Sequence, residues 1–215
     1  MRLAVLVALV FLAGCGGGED ESSSAGGDAA EVTECADVDA PEARDPEPLE
    51  APTAGLDEST AHKLTFDTSC GSFTVTLDLE QAPKTAASLV ALANAGYFDE
   101  TIFHRVVPGF VVQGGDPTQS GAGGPGYSTV DVPASGSAYT QGVVAMAKSG
   151  VEAPGTAGSQ FFVVTGADAG LPPDYAIVGE VTEGMGTVLR IDALGVGDGP
   201  PSQPVVVNTV TVDES

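Results

Sequence analysis

Ile102-Phe103-His104-Arg105-Val106-Val107-Pro108-Gly109-Phe110-Val111-Val112-Gln113-Gly114-Gly115-Asp116 sets one arginine in an otherwise apolar, β-type run, then a phenylalanine, a glutamine and a Gly-Gly turn. An ionised group removed from water is costly unless it is paired or hydrogen-bonded, so something must fix Arg105. A second block, Gly158-Ser159-Gln160-Phe161-Phe162-Val163, lies downstream. Side chains alternate across a strand, so Phe161 and Phe162 face opposite ways and at most one lines a site. His104 points away from its neighbour Arg105 for the same reason, and reads as a buried structural imidazole rather than a general base.

Outward from this run, 62–69 and 72–79 alternate polar and apolar residues around Cys70-Gly71, the pattern of a half-buried hairpin. Pro83 suits a first helical turn. Ala86, Leu89, Val90, Ala93 and Tyr97 then recur at helical spacing, and Gly96 is placed to cap the helix end. Further short strands are expected at 102–107, 110–113, 142–147, 160–164, 176–182 and 204–212, each bounded by turn residues. Gly184 to Leu194 reads as a second helix, with Val188, Leu189, Ile191 and Leu194 available to pack. Many short strands and only two helices predict a mainly β fold: a closed eight-stranded antiparallel barrel, edges abolished, capped by two α-helices. The segment 114–141 is long and Gly-rich, a kind of loop that is functional or mobile.

The N-terminal part has a different composition. Residues 16–60 hold fourteen acids against one base, Arg44, with repeated Pro, Gly, Ser and Ala. Such a stretch buries too little surface to offset its ordering entropy, and reads as an acidic disordered tether. Residues 61–215 are the right length for one domain with a full core. The domain too is acidic, and the net charge of -23 argues against nucleic acid, since phosphate binding needs clustered Lys/Arg, so no nucleic-acid partner is expected.

Residues 1–15 have a basic start at Arg2, an apolar run from Leu3 to Leu12, and Leu12-Ala13-Gly14-Cys15. The form is that of a secretory signal, too short for a stable span. The small residues before Cys15 resemble a bacterial lipobox, which implies a lipoprotein signal at 1–15, lipidation of Cys15 and an extracytoplasmic protein anchored on the cell membrane through acyl chains. A plain secretory signal with an incidental Cys15 is the alternative. Cys35 and Cys70 are the two cysteines left, and in an exported protein they suggest one disulfide, with two free thiols as the alternative. No metal is expected, since the chain has no C-x-x-C and His62 and His104 are distant from both cysteines.

The two blocks, in this order and at this separation, resemble the signature segments of the cyclophilins, peptidyl-prolyl cis-trans isomerases, and the resemblance extends over 62–212. It implies that Arg105, Gln113 and Phe110 are catalytic, Gln113 holding the substrate backbone. It implies an apolar pocket for the proline ring from Phe110, Val111, Phe162 and Leu171, with Met146 at another pocket position. Ala147 and Lys148 match the extended segment whose backbone pairs with the peptide. Gln160 matches a neighbour-orienting position, and Tyr175 one that is histidine in many eukaryotic members and often tyrosine in bacterial ones. Val111 stands where methionine is more usual, and Lys148 where asparagine is common. Gly170 stands where cyclosporin-sensitive members carry tryptophan, which implies weak cyclosporin binding with isomerisation intact.

The chemistry implied needs no nucleophile, metal or cofactor. Rotation about a peptide bond faces a barrier of about 18–20 kcal/mol because of its partial double-bond character. In the twisted state the prolyl nitrogen regains a lone pair, and a fixed cation able to donate to it lowers the barrier. Arginine suits that role, being always charged and carrying a rigid set of donors. The expected function is acceleration of X-Pro isomerisation in exported proteins as they fold, by a protein expected to be a monomer. A non-catalytic module that binds proline-containing peptides as a chaperone is the alternative. A Ser/His hydrolase is disfavoured by the lack of G-x-S-x-G.

Overall fold

His62–Thr68 (β1) and Gly71–Leu77 (β2) form the expected hairpin, with Phe66 opposite Phe73 across the ladder. Their rings stack at 4.8 Å between centroids, and Phe161 packs against Phe66 at 5.1 Å. This computed structural model describes residues 34–215. Residues 1–33 lie outside the description, and with them Cys15 and the expected signal.

Helix α1, Pro83–Asn94, starts with proline in its first turn and ends as its sequence dictates. Gly96 adopts φ +66°, its N–H bonds the Ala93 carbonyl and the Tyr97 N–H bonds that of Leu92. That paired closure needs a left-handed residue, which glycine adopts without a Cβ penalty. Ala82 caps nothing at the other end. Instead the carboxylate of Asp131 accepts from the Thr85 N–H and hydroxyl, each at 2.7 Å, placing negative charge at the positive end of the helix.

The remaining strands are β3 (Thr101–Ile102), β4 (Arg105–Val107), β5 (Val111–Gly114), β6 (Thr129–Val130), β7 (Val143–Met146), β8 (Thr156–Ala157), β9 (Phe161–Val164), β10 (Ile177–Glu183) and β11 (Val206–Glu214). Helix α2, Met185–Asp192, follows β10 and buries Thr187, Val188 and Ile191. A strongly curled antiparallel sheet runs β3-β11-β1-β2-β10-β7-β9-β5-β4, and β6 pairs with β8 apart from it.

The fold is therefore mainly β with two helices, as expected, but the sheet is not a closed eight-stranded barrel. It has nine strands and is open between β3 and β4, its two edges. The expected single strand 102–107 breaks at Phe103-His104. Before the break the chain pairs with β11, and after it with β5. The Phe103 N–H continues towards the Val205 carbonyl, so the bend passes the chain from one edge to the other without a ladder between them.

The acidic segment differs more from expectation. From Glu34 to residue 60 it has no helix or strand, yet it is docked rather than a solvated tether. Cys35 is bonded to Cys70, and the Arg44 guanidinium donates to the carbonyls of Tyr97 (2.7 Å) and Asp99 (2.6 Å). Composition missed this because the anchors are one cysteine, one arginine and backbone N–H groups, which leave no hydrophobic pattern.

Candidate active site

Alternation along three neighbouring strands sorts their side chains into two apolar clusters. Val112, Val144, Met146, Phe161 and Val163 enter the main core with Phe66, Phe73 and Phe103. Val111, Val143, Ala145, Phe162 and Val164 turn to the opposite face, joined by Tyr139 and Ile177. Register then sets a row across that face: Arg105 lies opposite Gln113, Gln113 opposite Phe162, and Phe162 opposite Ala145.

A cavity of about 250 Å³ opens over this row. Phe110, Val111, Phe162 and Leu171 supply its apolar wall, and Arg105 with Gln113 forms a polar edge. Ala147, Lys148 and Tyr175 complete it. Ten of the eleven residues expected at the site thus assemble here, with Gln160 one hydrogen bond behind Gln113. The exception is Met146. It is fully buried in the main core and lines no part of the cavity, because it alternates with Ala145 and shares the inner face with its partner Phe161.

Arg105 is fixed on two sides. Its Nε and Nη2 donate to the two oxygens of Asp198 at 2.6 and 3.0 Å, and its Nη1 donates to Gln113 Oε1 at 3.1 Å. Gln113 Nε2 donates to Gln160 Oε1 at 3.1 Å, and Gln160 Nε2 donates to the Gly123 carbonyl at 2.9 Å. Of the five guanidinium N–H groups, three are used and one remains on each terminal nitrogen. A bidentate carboxylate fixes the plane of the fork as well as its position.

Asp198 lies 93 positions from Arg105, in the turn after α2, and no local pattern marks it. Its hydrogen bond from Arg105 holds its carboxyl below the usual carboxylate range, with desolvation opposing slightly and the arginine's charge assisting. A pKa lowered on folding means the pair is complete at neutral pH and is lost only as pH falls through that lowered value, beneath the ordinary Asp value of about 3.9. Turnover is therefore expected to show no acid-side loss through the neutral range from this group. Asp198→Ala, which frees the guanidinium plane, is expected to lower kcat about two- to fivefold, the modest scale of an exposed pair. A pH–rate series on both proteins checks this, and an unchanged kcat in the variant would mean that Gln113 alone orients Arg105.

Tyr139 was also not anticipated. It is fully buried behind Phe162, accepts from the Tyr175 N–H at 3.0 Å and donates to the Tyr175 carbonyl at 2.7 Å. It thereby holds the segment that sets the Tyr175 ring edge-on to Phe162. The Lys148 side chain folds inward rather than offering backbone alone. Its Nζ donates to the Glu152 carbonyl at 3.2 Å and lies 5.4 Å from the centre of the Tyr175 ring. The Ala147 N–H is taken by the Gln160 carbonyl. His104 is half-buried outside the cavity, and burial lowers its pKa, Asp116 opposing and Arg105 adding. Among the described residues no group of His, Cys, Asp and Glu is arranged to hold a metal ion.

A second, larger groove of about 850 Å³ adjoins the cavity and shares Gln113, Ala147 and Lys148 with it. Its outer wall is the glycine-rich run up to Tyr127. Asp116 braces the start of that wall, accepting from the N–H groups of Thr118, Gly121 and Gly123. Burial alone would push this carboxyl up, but bonds from the Thr118 hydroxyl and the three N–H groups outweigh it and hold it below the usual range.

The family model for cyclophilin type peptidyl-prolyl cis-trans isomerases matches residues 63–212. The chain is 39% identical over 160 residues to peptidyl-prolyl cis-trans isomerase-like 1 of Aspergillus fumigatus, covering 72% of this chain and 98% of the relative. It is 38% identical over 157 residues to the protein of the same name from Gibberella zeae, covering 70% and 95%. The crystal structure of a cyclophilin type isomerase from Cryptosporidium parvum superposes with a TM-score of 0.66 at 28% identity, over 72% of this chain and 99% of that one. The same protein crystallised in the presence of the dipeptide Ala-Pro gives 0.65. These relatives are eukaryotic, and the likeness covers 70–72% of this chain. The match from β1 to β11, joined to an arginine fixed over an apolar cavity, identifies the chain as a member of the cyclophilin type peptidyl-prolyl cis-trans isomerase family.

Proposed function

We propose that this isomerase acts on proline-containing segments of exported polypeptides while lipid-anchored through Cys15 at the extracytoplasmic face of the cell membrane. The observation that carries the catalytic part is the guanidinium of Arg105, fixed by Asp198 and Gln113 with N–H groups to spare, beside an apolar cavity of about 250 Å³. The proline ring enters against Phe110, Phe162 and Leu171, which favours the ring over flanking polar backbone. Gln113 and the Ala147–Lys148 segment hold the chain on either side. As the amide twists, the prolyl nitrogen gains a lone pair, and a donor of Arg105 stabilises it more than it stabilises either planar form. The Ala-Pro dipeptide present with the Cryptosporidium parvum relative is of the chemistry this cavity would take.

Two features support the location. Met1 to Cys15 has the form of a lipoprotein signal, and Cys35 is joined to Cys70, a bond that persists where thiols are oxidised. Slow prolyl steps limit folding for about 10–100 s, so an isomerase at the membrane surface has clients there. In a bacterial host, the full chain is expected to incorporate an alkyne-tagged fatty acid and to sediment with membranes. Cys15→Ala is expected to lose both label and sedimentation. An unlabelled, soluble wild type, or an unlabelled export product cut elsewhere, would overturn the anchor without touching the isomerase reading.

A further inference from the structure

Residues 35–49 lie outside the stretch that the family model matches, and they form a strap fastened at four places. Cys35 is bonded to Cys70, and the Ala36 N–H donates to the Ser69 carbonyl at 2.7 Å. Arg44 ties the strap to the end of α1 through the Tyr97 and Asp99 carbonyls. The third fastening is on the turn that leads into the wall of the large groove, and the fourth is on the wall itself. The Arg44 N–H donates to the Pro117 carbonyl at 3.0 Å while Gln119 Nε2 donates to the Pro41 carbonyl at 2.8 Å. Finally, the Leu49 N–H donates to the Pro125 carbonyl at 2.8 Å, and Pro48 packs so close to Gly126 that a Cβ there would lie 2.6 Å from the Pro48 Cβ.

Gly121, Gly123, Gly124 and Gly126 fall within six residues, and a segment of this kind has more backbone freedom to lose than any other. Asp116 restrains it from within only as far as Gly123. Beyond that point, Leu49 and Pro48 brace Pro125 and Gly126 from behind, and Tyr127 is held by its hydroxyl to Ser88 at 2.9 Å. No strap residue lines either cavity. The strap therefore acts on the groove through its wall, and the proline cavity, whose walls come from β4, β5, β9, Ala147–Lys148 and the 169–175 segment, meets that wall only through Gln160 at Gly123, the point that Asp116 holds without the strap.

We infer that the strap is a specificity element of this enzyme, a buttress that orders the 121–127 wall so that the large groove can bind substrate residues flanking the X-Pro pair. The inference rests on the proposed reading of the adjoining cavity as the proline site. It assigns the chain's N-terminal extension a part in choosing extended polypeptides over short peptides. It also makes that choice sensitive to the Cys35–Cys70 bond, since reduction frees one end of the strap while leaving the β-sheet intact.

The test compares a short Ala-Pro test peptide with an extended proline-containing peptide, on wild type, Pro48→Gly, Arg44→Ala and the Cys35→Ser/Cys70→Ser double variant. The strap variants are expected to raise KM for the extended peptide about tenfold, the equivalent of about 1.4 kcal/mol of wall ordering now supplied at binding. Its kcat, and both constants for the short peptide, are expected to stay unchanged. Fluorescence anisotropy gives the Kd of the extended peptide independently of turnover. Equal effects on both peptides, or none on the extended one, would overturn the inference. Pro48→Gly alters an exposed contact and keeps the bond, so it reports even if the double variant folds poorly. Wild type that binds both peptides but turns over neither would instead defeat the isomerase reading, while the Kd values would still judge the strap.

Discussion

Arg105→Ala is expected to reduce kcat for an Ala-Pro peptide by about 10²–10³, with KM changed little, because the donor acts on charge that develops only in the twisted state. Lysine at this position should recover little of the loss. It brings a point charge without the planar fork that Asp198 and Gln113 grip from two directions. The fold should survive, since Arg105 is on the short edge strand β4, partly exposed, and its partners Asp198 and Gln113 are reachable by water. Circular dichroism and a thermal melt beside the kinetic assay separate the two effects. Retention of full turnover by a folded Arg105→Ala protein would show that Arg105 is not the group that lowers the barrier.

The second large effect falls on a pair of adjacent residues. Phe161 and Phe162 share a sequence motif and are both buried, yet they are expected to fail differently. Phe161 meets Phe66, Phe98 and Phe103 in the main core at 5.1–6.2 Å between centroids. Its truncation to alanine should cost about 3–5 kcal/mol. For a domain of this size that lowers Tm by about 10 °C, and activity per folded molecule should be preserved at low temperature. Phe162 instead forms the cavity wall against Tyr175 and Tyr139. Phe162→Ala should lose about 10- to 100-fold in kcat/KM at temperatures where it is fully folded, since the proline ring loses its apolar partner. A Phe161→Ala protein that melts normally but no longer turns over substrate would reverse the assignment of faces.

That contrast also shows how far local pattern reaches. Alternation places Phe161 and Phe162 on opposite faces from sequence alone, but it does not say which face is the core. In β7 the four residues Val143 to Met146 are all buried, two into each apolar cluster, so hydrophobicity cannot distinguish the sides. Met146 was expected at the pocket from the resemblance, and nothing in the burial pattern of β7 could overrule that; it lies in the core. The end of α1 was legible because a single glycine at a defined offset satisfies two carbonyls within the same turn.

The sequence by itself determined the hairpin, both helices and the alternation of the strands, because each depends on side-chain period or on turn residues within a few positions, whereas the cavity residues were legible only through the likeness of two motifs to the cyclophilins. Only the tertiary structure decided what meets across long separations. It set Asp198 against Arg105, Tyr139 beneath Phe162 and the acidic strap against the glycine-rich wall. It also left the curled sheet open where Phe103-His104 carries the chain from one edge to the other. Those outcomes rest on single hydrogen bonds, one disulfide and the direction of a backbone, which leave no periodic trace, whereas burial of an apolar face repeats along the chain and can be read from it.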